Sequence, residues 1–372
     1  MLALSLLAAL LWMVVLVLPW RPWSTQEALV AGTADSAADF ADITALIPAR
    51  DEAQCIARTL QALAAQGSLG GIVVIDDQSS DGTGRIAGAL DLPRLQVIEG
   101  SPPPPGWSGK LWALHQGFGQ VRTQRLLLLD ADIYLEPGTL AALDQRMSSQ
   151  NLAMVSVMAT LHMGNFWEKL LLPPFIFFFK LIYPFALVND PRSRVAAAAG
   201  GCILLDSAAL RGVGGFEALH DAIIDDCTLA RRIKDRGGRT WLGLGRGVRA
   251  IRPYDTLDNI WNMVARSAFT QLRYSTPLLL LCTALLLLSF VIPVVALLRP
   301  GFVSSAAGAV ALIAMGTAYW PTLRYYGLAP VWALTLPAAA CLYLAMTWTS
   351  ARRYWSGERS RWKNRSYERD IQ

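Results

Sequence analysis

The sequence predicts an α/β domain with a mostly parallel sheet, placed between membrane-spanning segments near both ends of the chain. Apolar residues make up 53% of the 372 residues and charged residues only 16%, a composition that excludes a disordered chain and an ordinary soluble enzyme. Short apolar runs alternate with helical patterns through the middle of the chain. Uncharged stretches about as long as a bilayer is thick lie near both ends.

The N-terminal segment is the first candidate membrane helix. Residues 2–20 contain no charged side chain and are long enough to cross a bilayer. A cleaved signal peptide is the alternative, but it needs a basic region before the apolar run, and this sequence has none. The run ends at Trp20 and Trp23 around Arg21, which is typical of an interfacial anchor. We therefore predict an uncleaved transmembrane helix within residues 1–23.

Residues 24–276 have the mixed composition of a globular domain. Apolar runs rich in β-branched residues predict strands, and the amphipathic stretches between them predict helices. This alternation indicates a mostly parallel sheet that is covered on both faces. The predicted strands are 43–47, 72–75, 95–98, 126–129 and 154–160, and the predicted helices are 53–66, 82–90, 111–118 and 136–147.

An apolar segment at 165–188 interrupts this domain. It contains two adjacent prolines and one lysine. We predict a pair of helices that lies at the membrane interface, and a buried core helix is the alternative.

Three further apolar stretches, near 278–298, 302–320 and 331–348, predict a C-terminal transmembrane bundle within 277–349. The tail, 350–372, is basic: from residue 349 onwards, seven basic and three acidic side chains account for +4 of the net charge of +5. Basic segments beside membrane helices favour the cytoplasmic side. If the globular domain is cytoplasmic and all three stretches cross, however, the tail lies outside. Either one stretch is re-entrant or the tail is an exception to this tendency, and we expect a cytoplasmic tail.

Several classes of site are excluded by composition. The chain before the tail is nearly neutral, so a nucleic-acid partner is not expected. Five cysteines without close spacing predict neither a disulfide framework nor a zinc site. The three histidines are scattered along the sequence, which argues against a histidine-based metal site.

Polar residues follow three of the predicted strands. They form the sequences Arg50-Asp51-Glu52, Asp76-Asp77 and Asp130-Ala131-Asp132. In parallel α/β sheets, ligands bind at the carboxyl ends of the strands. The sequence therefore predicts one ligand site that these three strand ends share.

Asp130 and Asp132 are the candidate metal ligands. Two carboxylates at a strand end can share one Mg²⁺ or Mn²⁺ ion together with phosphate oxygens, whereas the alternative is an ordinary acidic turn. Asp77 faces a ligand or caps the following helix. Lys110 opens a predicted helix, where a phosphate is favoured, and a solvated lysine is the alternative.

A second acidic pair, Asp225 and Asp226, begins another predicted helix. Repulsion between adjacent carboxylates raises the pKa of one of them, which suits a general base. The glycine pair that ends at Gly201 permits a close approach of backbone to a ligand. Gln271 and Arg273 come just before the C-terminal apolar stretches, and Arg273 could offset charge on a leaving diphosphate.

Together these motifs resemble the family 2 inverting glycosyltransferases, which have the Rossmann-like GT-A fold. The segment from Ile47 to Glu52 resembles the first-strand motif of that family, and Asp225-Asp226 resembles its Glu-Asp pair. Residues 271–274 resemble the Q-x-x-R-W motif, although the glutamine is one residue nearer the arginine and tyrosine replaces tryptophan. The resemblance implies that Asp226 is the base, supported by Asp225 and Arg273. It further implies that the donor contacts Pro48, Arg50, Glu52, Asp77, Lys110, Asp130, Gly201 and Gln271, with Mg²⁺ or Mn²⁺ on Asp132 and Asp130.

The chain is more closely similar to the hopene-associated glycosyltransferases of bacterial hopanoid gene clusters. The segments that carry this likeness are 106–113, 196–202, 224–227 and 252–255. The likeness implies a multi-pass protein of the bacterial inner membrane with a cytoplasmic catalytic domain. It would transfer a sugar, with inversion, from a UDP-sugar to a lipid hydroxyl, and a hopanoid is the expected acceptor. The alternatives are transfer to polyprenyl phosphate, transfer to a ceramide- or carotenoid-like lipid, and a non-catalytic membrane protein.

Overall fold

The computed structural model describes residues 1–33, 37–362 and 365–368. Part of the predicted basic tail, including Lys363 and Arg369, lies outside the described residues. The strands are β1 Ala28–Leu29, β2 Asp39–Ala49, β3 Ser68–Asp76, β4 Leu95–Glu99, β5 Arg125–Leu129, β6 Ile133–Leu135, β7 Met154–Thr160, β8 Cys202–Asp206, β9 Thr240–Ala250, β10 Glu358–Trp362 and β11 Arg365–Glu368.

The α-helices alternate with these strands and then dominate the second half of the chain. They are α1 Leu2–Val17, α2 Ile56–Ala64, α3 Thr83–Gly88, α4 Gly109–Phe118, α5 Thr139–Ser149, α6 Phe166–Ile182, α7 Phe185–Asn189, α8 Ser207–Gly212, α9 Asp225–Asp235, α10 Leu257–Ala265, α11 Ala268–Gln271, α12 Thr276–Leu286, α13 Ile292–Leu298, α14 Phe302–Tyr325 and α15 Leu336–Trp355. A π-helical turn, Leu287–Val291, joins α12 to α13.

The chain forms two compact units. The sheet unit comprises Glu27–His162 and Leu187–Pro253, and the helix unit comprises Met1–Gln26, Met163–Ala186 and Tyr254–Gln372. The boundaries of these units differ from those of the predicted domains. Residues 163–186 and 254–276 group with the apolar helices and not with the sheet.

The sheet unit contains a mixed sheet in the order β1-β9-β7-β8-β5-β2-β3-β4, with β6 paired to β9. The pairs formed by β2 with β3, β2 with β5, β3 with β4 and β7 with β9 are parallel. The predicted parallel α/β sheet is confirmed, and all five predicted strands are present. Strand β8, which the sequence did not predict, runs antiparallel between β5 and β7.

The core explains why these strands read as continuous apolar runs. Along β2, Ile43, Ala45 and Ile47 pack into one core cluster, whereas Leu46 packs into a second cluster. Successive side chains point to opposite faces of a strand. Helices α2 and α5 contribute to the first cluster, and α4 and α9 to the second. Burial on both faces holds the strand ends, and therefore the site, in fixed positions.

The helix unit contains three helices long and apolar enough to cross a membrane, Thr276–Leu298, Phe302–Tyr325 and Pro330–Trp355. Helix α1 is also apolar, but its 16 residues span only about 24 Å, less than the roughly 30 Å core of a bilayer. That α1 crosses the membrane stays a prediction.

Helix α6 continues through Pro173 and Pro174. It is buried along much of its length, and the Tyr343 hydroxyl donates to the carbonyl of Leu171, in the turn before the prolines. The buried Lys180 donates to the carbonyl of Trp23 and to Thr322 Oγ1. The segment 165–188 thus contains two helices, as predicted. Helix α6 packs within its unit, which agrees with the alternative prediction of a buried helix. Its location at a membrane interface stays a prediction.

Candidate active site

The loops after β2 and β3 are fastened to each other. Asp77 is fully buried, and its N–H donates to the carbonyl of Ala49 at the end of β2. Arg50 Nη1 donates to the Asp77 carbonyl at 2.5 Å and lies 3.9 Å from Asp77 Oδ2. Asp51 and Gln78 both have left-handed backbone conformations, which are uncommon for residues other than glycine. Such backbone is often found at ligand sites.

Two other carboxylates of this acidic stretch accept hydrogen bonds at the start of α3. Asp81 Oδ1 accepts from the N–H and the hydroxyl of Thr83, the first residue of α3, and Asp76 Oδ2 accepts from the N–H of Gly84. That Asp77 faces a ligand stays a prediction.

Lys110 and Asp130 form an ion pair between α4 and the end of β5. Ser108 caps α4, since its Oγ accepts from the N–H of Leu111, and the cap presents Lys110 in the first turn. Its Nζ lies 2.7 Å from Asp130 Oδ1. Burial alone would lower the pKa of Lys110, but the carboxylates of Asp130, Asp225 and Asp226 outweigh it and raise the pKa. The lysine is therefore a fixed positive charge.

Asp226 lies in the first turn of α9, beside the glycine pair. Its Oδ1 accepts from the N–H of Cys227 at 2.7 Å. Partial burial, followed by repulsion from Asp225, raises the pKa of Asp226 to about 7. A carboxyl with this pKa can accept a proton near neutral pH, which is what a general base requires.

The glycine pair is placed by β8. The N–H of Asp130 donates to the carbonyl of Gly201, because β8 runs antiparallel to β5 and pairs Cys202 with Leu129. A Cβ on Gly200 would lie 3.2 Å from Asp226 Oδ2 and 3.5 Å from Lys110 Nζ. The backbone at Gly200 thus passes directly against the charged groups, and its close approach to a ligand stays a prediction.

These groups line one pocket in the sheet unit. Pro48, Lys110, Asp130, Gly200, Asp225 and Asp226 form its polar part, and Leu111, Leu114, Leu128, Phe216, Leu219 and Leu229 are among its apolar lining. The pocket therefore brings together predicted residues from the carboxyl ends of β2 and β5 and from the starts of α4 and α9, with Gly200 just before β8. The other predicted donor and metal residues of the sheet unit are not among its lining residues; these are Arg50, Glu52, Asp77, Asp132 and Gly201.

Asp132 contacts a residue that the sequence analysis did not select as a site residue. Arg252 Nε lies 3.7 Å from Asp132 Oδ2, and Arg252 Nη2 forms a short contact with the buried carboxylate of Glu52. Arg252 follows β9, a strand that the sequence analysis did not predict. The pairing of β9 with β6 carries Arg252 to Asp132, and the sequence marks Arg252 only as part of the segment 252–255 that carries the family likeness.

Asp130 and Asp132 supply hard oxygen ligands of the kind that Mg²⁺ and Mn²⁺ prefer. Within the described residues, no group of three or more His, Cys, Asp or Glu side chains could hold a metal ion. The donor set therefore fits a divalent cation that obtains its remaining ligands from phosphate oxygens and water, which is the usual arrangement for Mg²⁺.

Gln271 and Arg273 belong to the helix unit and are described there by themselves. Gln271 Nε2 donates to the Tyr183 hydroxyl at 2.5 Å. Arg273 and Tyr274 both adopt left-handed conformations, with φ of 52° and 55°. The Tyr274 ring stacks on Tyr354 at 4.3 Å, while Arg273 is exposed. Two adjacent strained residues are consistent with a functional turn.

Comparisons with known proteins identify the family of this chain and solved structures with a similar fold. The model of the family described as "Glycosyl transferase family 21" matches residues 93–370. A 4,4'-diaponeurosporenoate glycosyltransferase from Staphylococcus aureus (strain USA300) is 31% identical over 91 residues, 24% of each chain. The chain thus spans about a quarter of the length of the curated relatives it matches.

Among solved structures, a mannosyltransferase from Pyrobaculum calidifontis in complex with GDP-Man and Mn²⁺ superposes with a TM-score of 0.53. The match covers 95% of this chain and 100% of that chain, at 18% sequence identity. This likeness supports the fold class of the chain. Its mostly parallel α/β sheet is the one typical of GT-A glycosyltransferases.

Proposed function

The chain belongs to glycosyl transferase family 21, and on this premise we propose that it transfers a sugar from a nucleoside diphosphate sugar to the hydroxyl of a membrane lipid. The family differs from family 2, which the sequence motifs resemble. The observation that carries the proposal is the pocket in which Lys110, Asp130, Asp225 and Asp226 meet. A fixed cation beside a carboxylate of raised pKa suits a reaction that expels a diphosphate and removes a proton.

In this mechanism Asp226 accepts the proton of the acceptor hydroxyl. The oxygen attacks the anomeric carbon, and the bond between that carbon and the diphosphate oxygen breaks on the opposite side, which inverts the configuration. Lys110 stabilises negative charge as it develops on the departing diphosphate, and the same role for Arg273 stays a prediction from the sequence motif. The proton remains on Asp226 until it is released to water.

The loops after β2 and β3 would bind the nucleoside. Pro48, Arg50, Glu52 and Asp77 contact the base or ribose in this proposal. The hydrogen bond from Arg50 to the Asp77 carbonyl preorganises two of them, which reduces the entropy lost on binding. A UDP-sugar is the proposed donor, because the motifs resemble those of UDP-sugar enzymes. Gly201 completes the proposed donor contacts in the sheet unit, and a donor contact of Gln271 stays a prediction from the sequence motif.

A divalent cation, Mg²⁺ or Mn²⁺, would be held by Asp132 and Asp130. When bound it supplies positive charge to the diphosphate in both its bound and leaving forms. The Mn²⁺ named with the mannosyltransferase is consistent with this assignment.

The acceptor is proposed to be a hopanoid hydroxyl that reaches the pocket from the bacterial inner membrane, with the sheet unit on the cytoplasmic side. The three long apolar helices support a membrane location, and the close sequence likeness to hopene-associated enzymes supports the hopanoid. A 4,4'-diaponeurosporenoate-type lipid is the second candidate, because the curated relative carries that name. Transfer to polyprenyl phosphate is a third, and there a phosphate oxygen would need no base.

The test is a mass-spectrometric lipid profile of three strains: the wild type, a deletion, and the deletion complemented with Asp226→Asn. We expect a glycosylated hopanoid to vanish in the deletion and to stay absent with the variant, because a carboxylate base contributes roughly 10²- to 10⁴-fold. Donor binding by the variant should persist.

Other outcomes separate the alternatives. Loss of a glycosylated carotenoid acid instead would assign the second candidate acceptor, and loss of a polyprenyl-linked sugar labile to mild acid would assign the third. If Asp226→Asn restores any of these products fully, Asp226 is not the base. An unchanged lipid profile in the deletion would exclude lipid glycosylation altogether.

A further inference from the structure

Arg252 links two carboxylates that come from different strand ends. Its Nη2 is in short contact with Glu52, after β2, and its Nε is 3.7 Å from Asp132, after β5. The neighbouring backbone is fixed as well, because the N–H of Ile251 donates to the carbonyl of Asp132 at 2.7 Å. The guanidinium is thereby held beside Asp132 from two directions.

Glu52 makes this arrangement difficult to undo. Its side chain is only 8% exposed, whereas that of Arg252 is 41% exposed. If Arg252 swung into solvent, the buried Glu52 carboxylate would lose this counter-ion, and the loss of one member of a buried pair is costly. Arg252 therefore stays near Asp132 even though its own side chain is partly accessible.

The two carboxylates of the Asp130-Ala131-Asp132 segment each face a cation from another element. Lys110 pairs with Asp130, and Arg252 faces Asp132. A free divalent cation that approached these carboxylates would meet two fixed positive charges within a few ångströms. Like charges at such a distance repel strongly in a partly desolvated site. A diphosphate would reverse this balance, because it brings two or more negative charges.

We propose that Arg252 is a positioning residue that keeps Asp132 from binding a divalent cation alone, so that the cation is admitted together with a nucleoside diphosphate. This inference rests on the proposed function. In this role Arg252 determines the order in which the cation and the nucleotide bind. The ligand of the site is then the metal complex of a nucleoside diphosphate.

The test is isothermal titration of the full-length protein in detergent with Mn²⁺ alone, and with Mn²⁺ in the presence of UDP or GDP. Wild type is compared with Arg252→Gln and with the double variant Glu52→Gln/Arg252→Gln, in which no buried charge is stranded. Arg249→Gln is the matched control, because Arg249, near the end of β9, forms a 3.1 Å ion pair with Glu136, which follows β6.

We expect wild type and Arg249→Gln to bind Mn²⁺ weakly alone and at least about tenfold more tightly with nucleotide. Both variants at position 252 should bind Mn²⁺ alone about fivefold or more tightly than wild type, because the repulsion is removed. If Arg252→Gln does not fold, the double variant decides.

One result would contradict the role of Arg252, and another would contradict the proposed donor site itself. If wild type shows the coupling and the variants at position 252 bind Mn²⁺ alone no more tightly, the role of Arg252 is wrong while the proposed function stands. If wild type binds Mn²⁺ with neither nucleotide, the proposed metal-dependent donor site is itself wrong.

Discussion

The pKa of Asp226 is set by opposing influences, of which burial is the largest and the charge of Asp225 the second. Burial and the charge of Asp225 raise its pKa to about 7, whereas the N–H of Cys227 and the ammonium of Lys110 act to lower it. Because the base must be deprotonated, activity should fall as pH drops below about 7.

Asp225→Asn removes the repelling charge and should lower the pKa of Asp226. The acidic limb of the kcat/KM profile should therefore move to lower pH. Asp235→Asn, at the exposed far end of the same helix, is the control and should leave the profile unchanged. A limb that moves upward or stays in place in Asp225→Asn would contradict Asp226 as the titrating group.

Gly200 is a residue whose small size the site requires. A methyl group there would lie 3.2 Å from the Asp226 carboxylate and 3.5 Å from the Lys110 ammonium. We expect Gly200→Ala to lower kcat by roughly 10-fold or more with little change in thermal stability, because small misplacements of reacting groups are costly. Gly212→Ala, where a Cβ meets nothing within 4 Å, is the matched control. Equal activity of the two variants would show that Gly200 does not face the reaction.

At the scale of elements, α9 positions the site at both of its ends. Its first turn carries Asp226, and Lys234 near its last turn donates to the carbonyls of Leu187, Val188 and Val195 at 2.7–3.3 Å. These carbonyls belong to the segment that leads to Gly200. The C-terminal end of α9 thus holds the segment that leads to Gly200. Its N-terminal end positions the Asp226 carboxylate beside Gly200.

Lys234→Met should loosen this segment. Charged hydrogen bonds contribute roughly 1.5–3 kcal/mol each in favourable cases, and we expect a total loss of about 2 kcal/mol for this half-exposed lysine. Hydrogen exchange should accelerate in residues 190–199 more than in the sheet. Arg232→Met, exposed on the same helix, should change neither quantity. Uniform acceleration across the sheet unit would instead indicate global destabilisation.

The elements also show how far the sequence could predict the site. Strands β2, β3 and β5 were predicted because they are buried on both faces and read as apolar runs. Strand β9 was missed because Gly243, Gly245 and Gly247 alternate along it. A Cβ on Gly243 would lie 2.1 Å from the Trp241 ring and one on Gly245 2.2 Å from Val157. Its glycines make room for neighbouring side chains, and no local pattern reveals those neighbours.

The missed strand explains the missed residue. Asp130, Asp226 and Lys110 follow recognisable strand ends or begin helices, so their positions could be inferred from sequence. Arg252 reaches Asp132 only through the pairing of β6 with β9, a contact between distant parts of the chain. Similarly, β8 places Gly201 against Asp130 through antiparallel pairing that apolarity alone does not specify.

At the scale of the whole molecule, the prediction to test is that the basic tail lies on the cytoplasmic side of the membrane. Three helices have the length to cross, and a cytoplasmic sheet unit would then place the tail outside. The excess of basic residues favours the cytoplasm. We expect Ser366→Cys to react with a membrane-impermeant maleimide only after cells are opened.

The control for this experiment is a cysteine in place of an exposed residue of the sheet unit, Asp235→Cys, which should behave in the same way. Labelling of position 366 but not of position 235 in intact cells would place the tail outside. It would also indicate that an odd number of the C-terminal helices crosses.

The order of the strands along the chain constrains how a ribosome can deliver this protein. Strand β8 fills the gap between β5 and β7, yet it is synthesised only after the apolar helix α6. Until then β7 lacks its partners β8 and β9, which both follow α6, and β5 has an open edge; such unpaired strands favour aggregation. Completion of the sheet therefore waits until α6 has left the exit tunnel. Every contiguous fragment that contains both Asp130 and Asp226 includes α6 as well, so simple truncation at either end cannot yield a water-soluble catalytic fragment without this apolar helix.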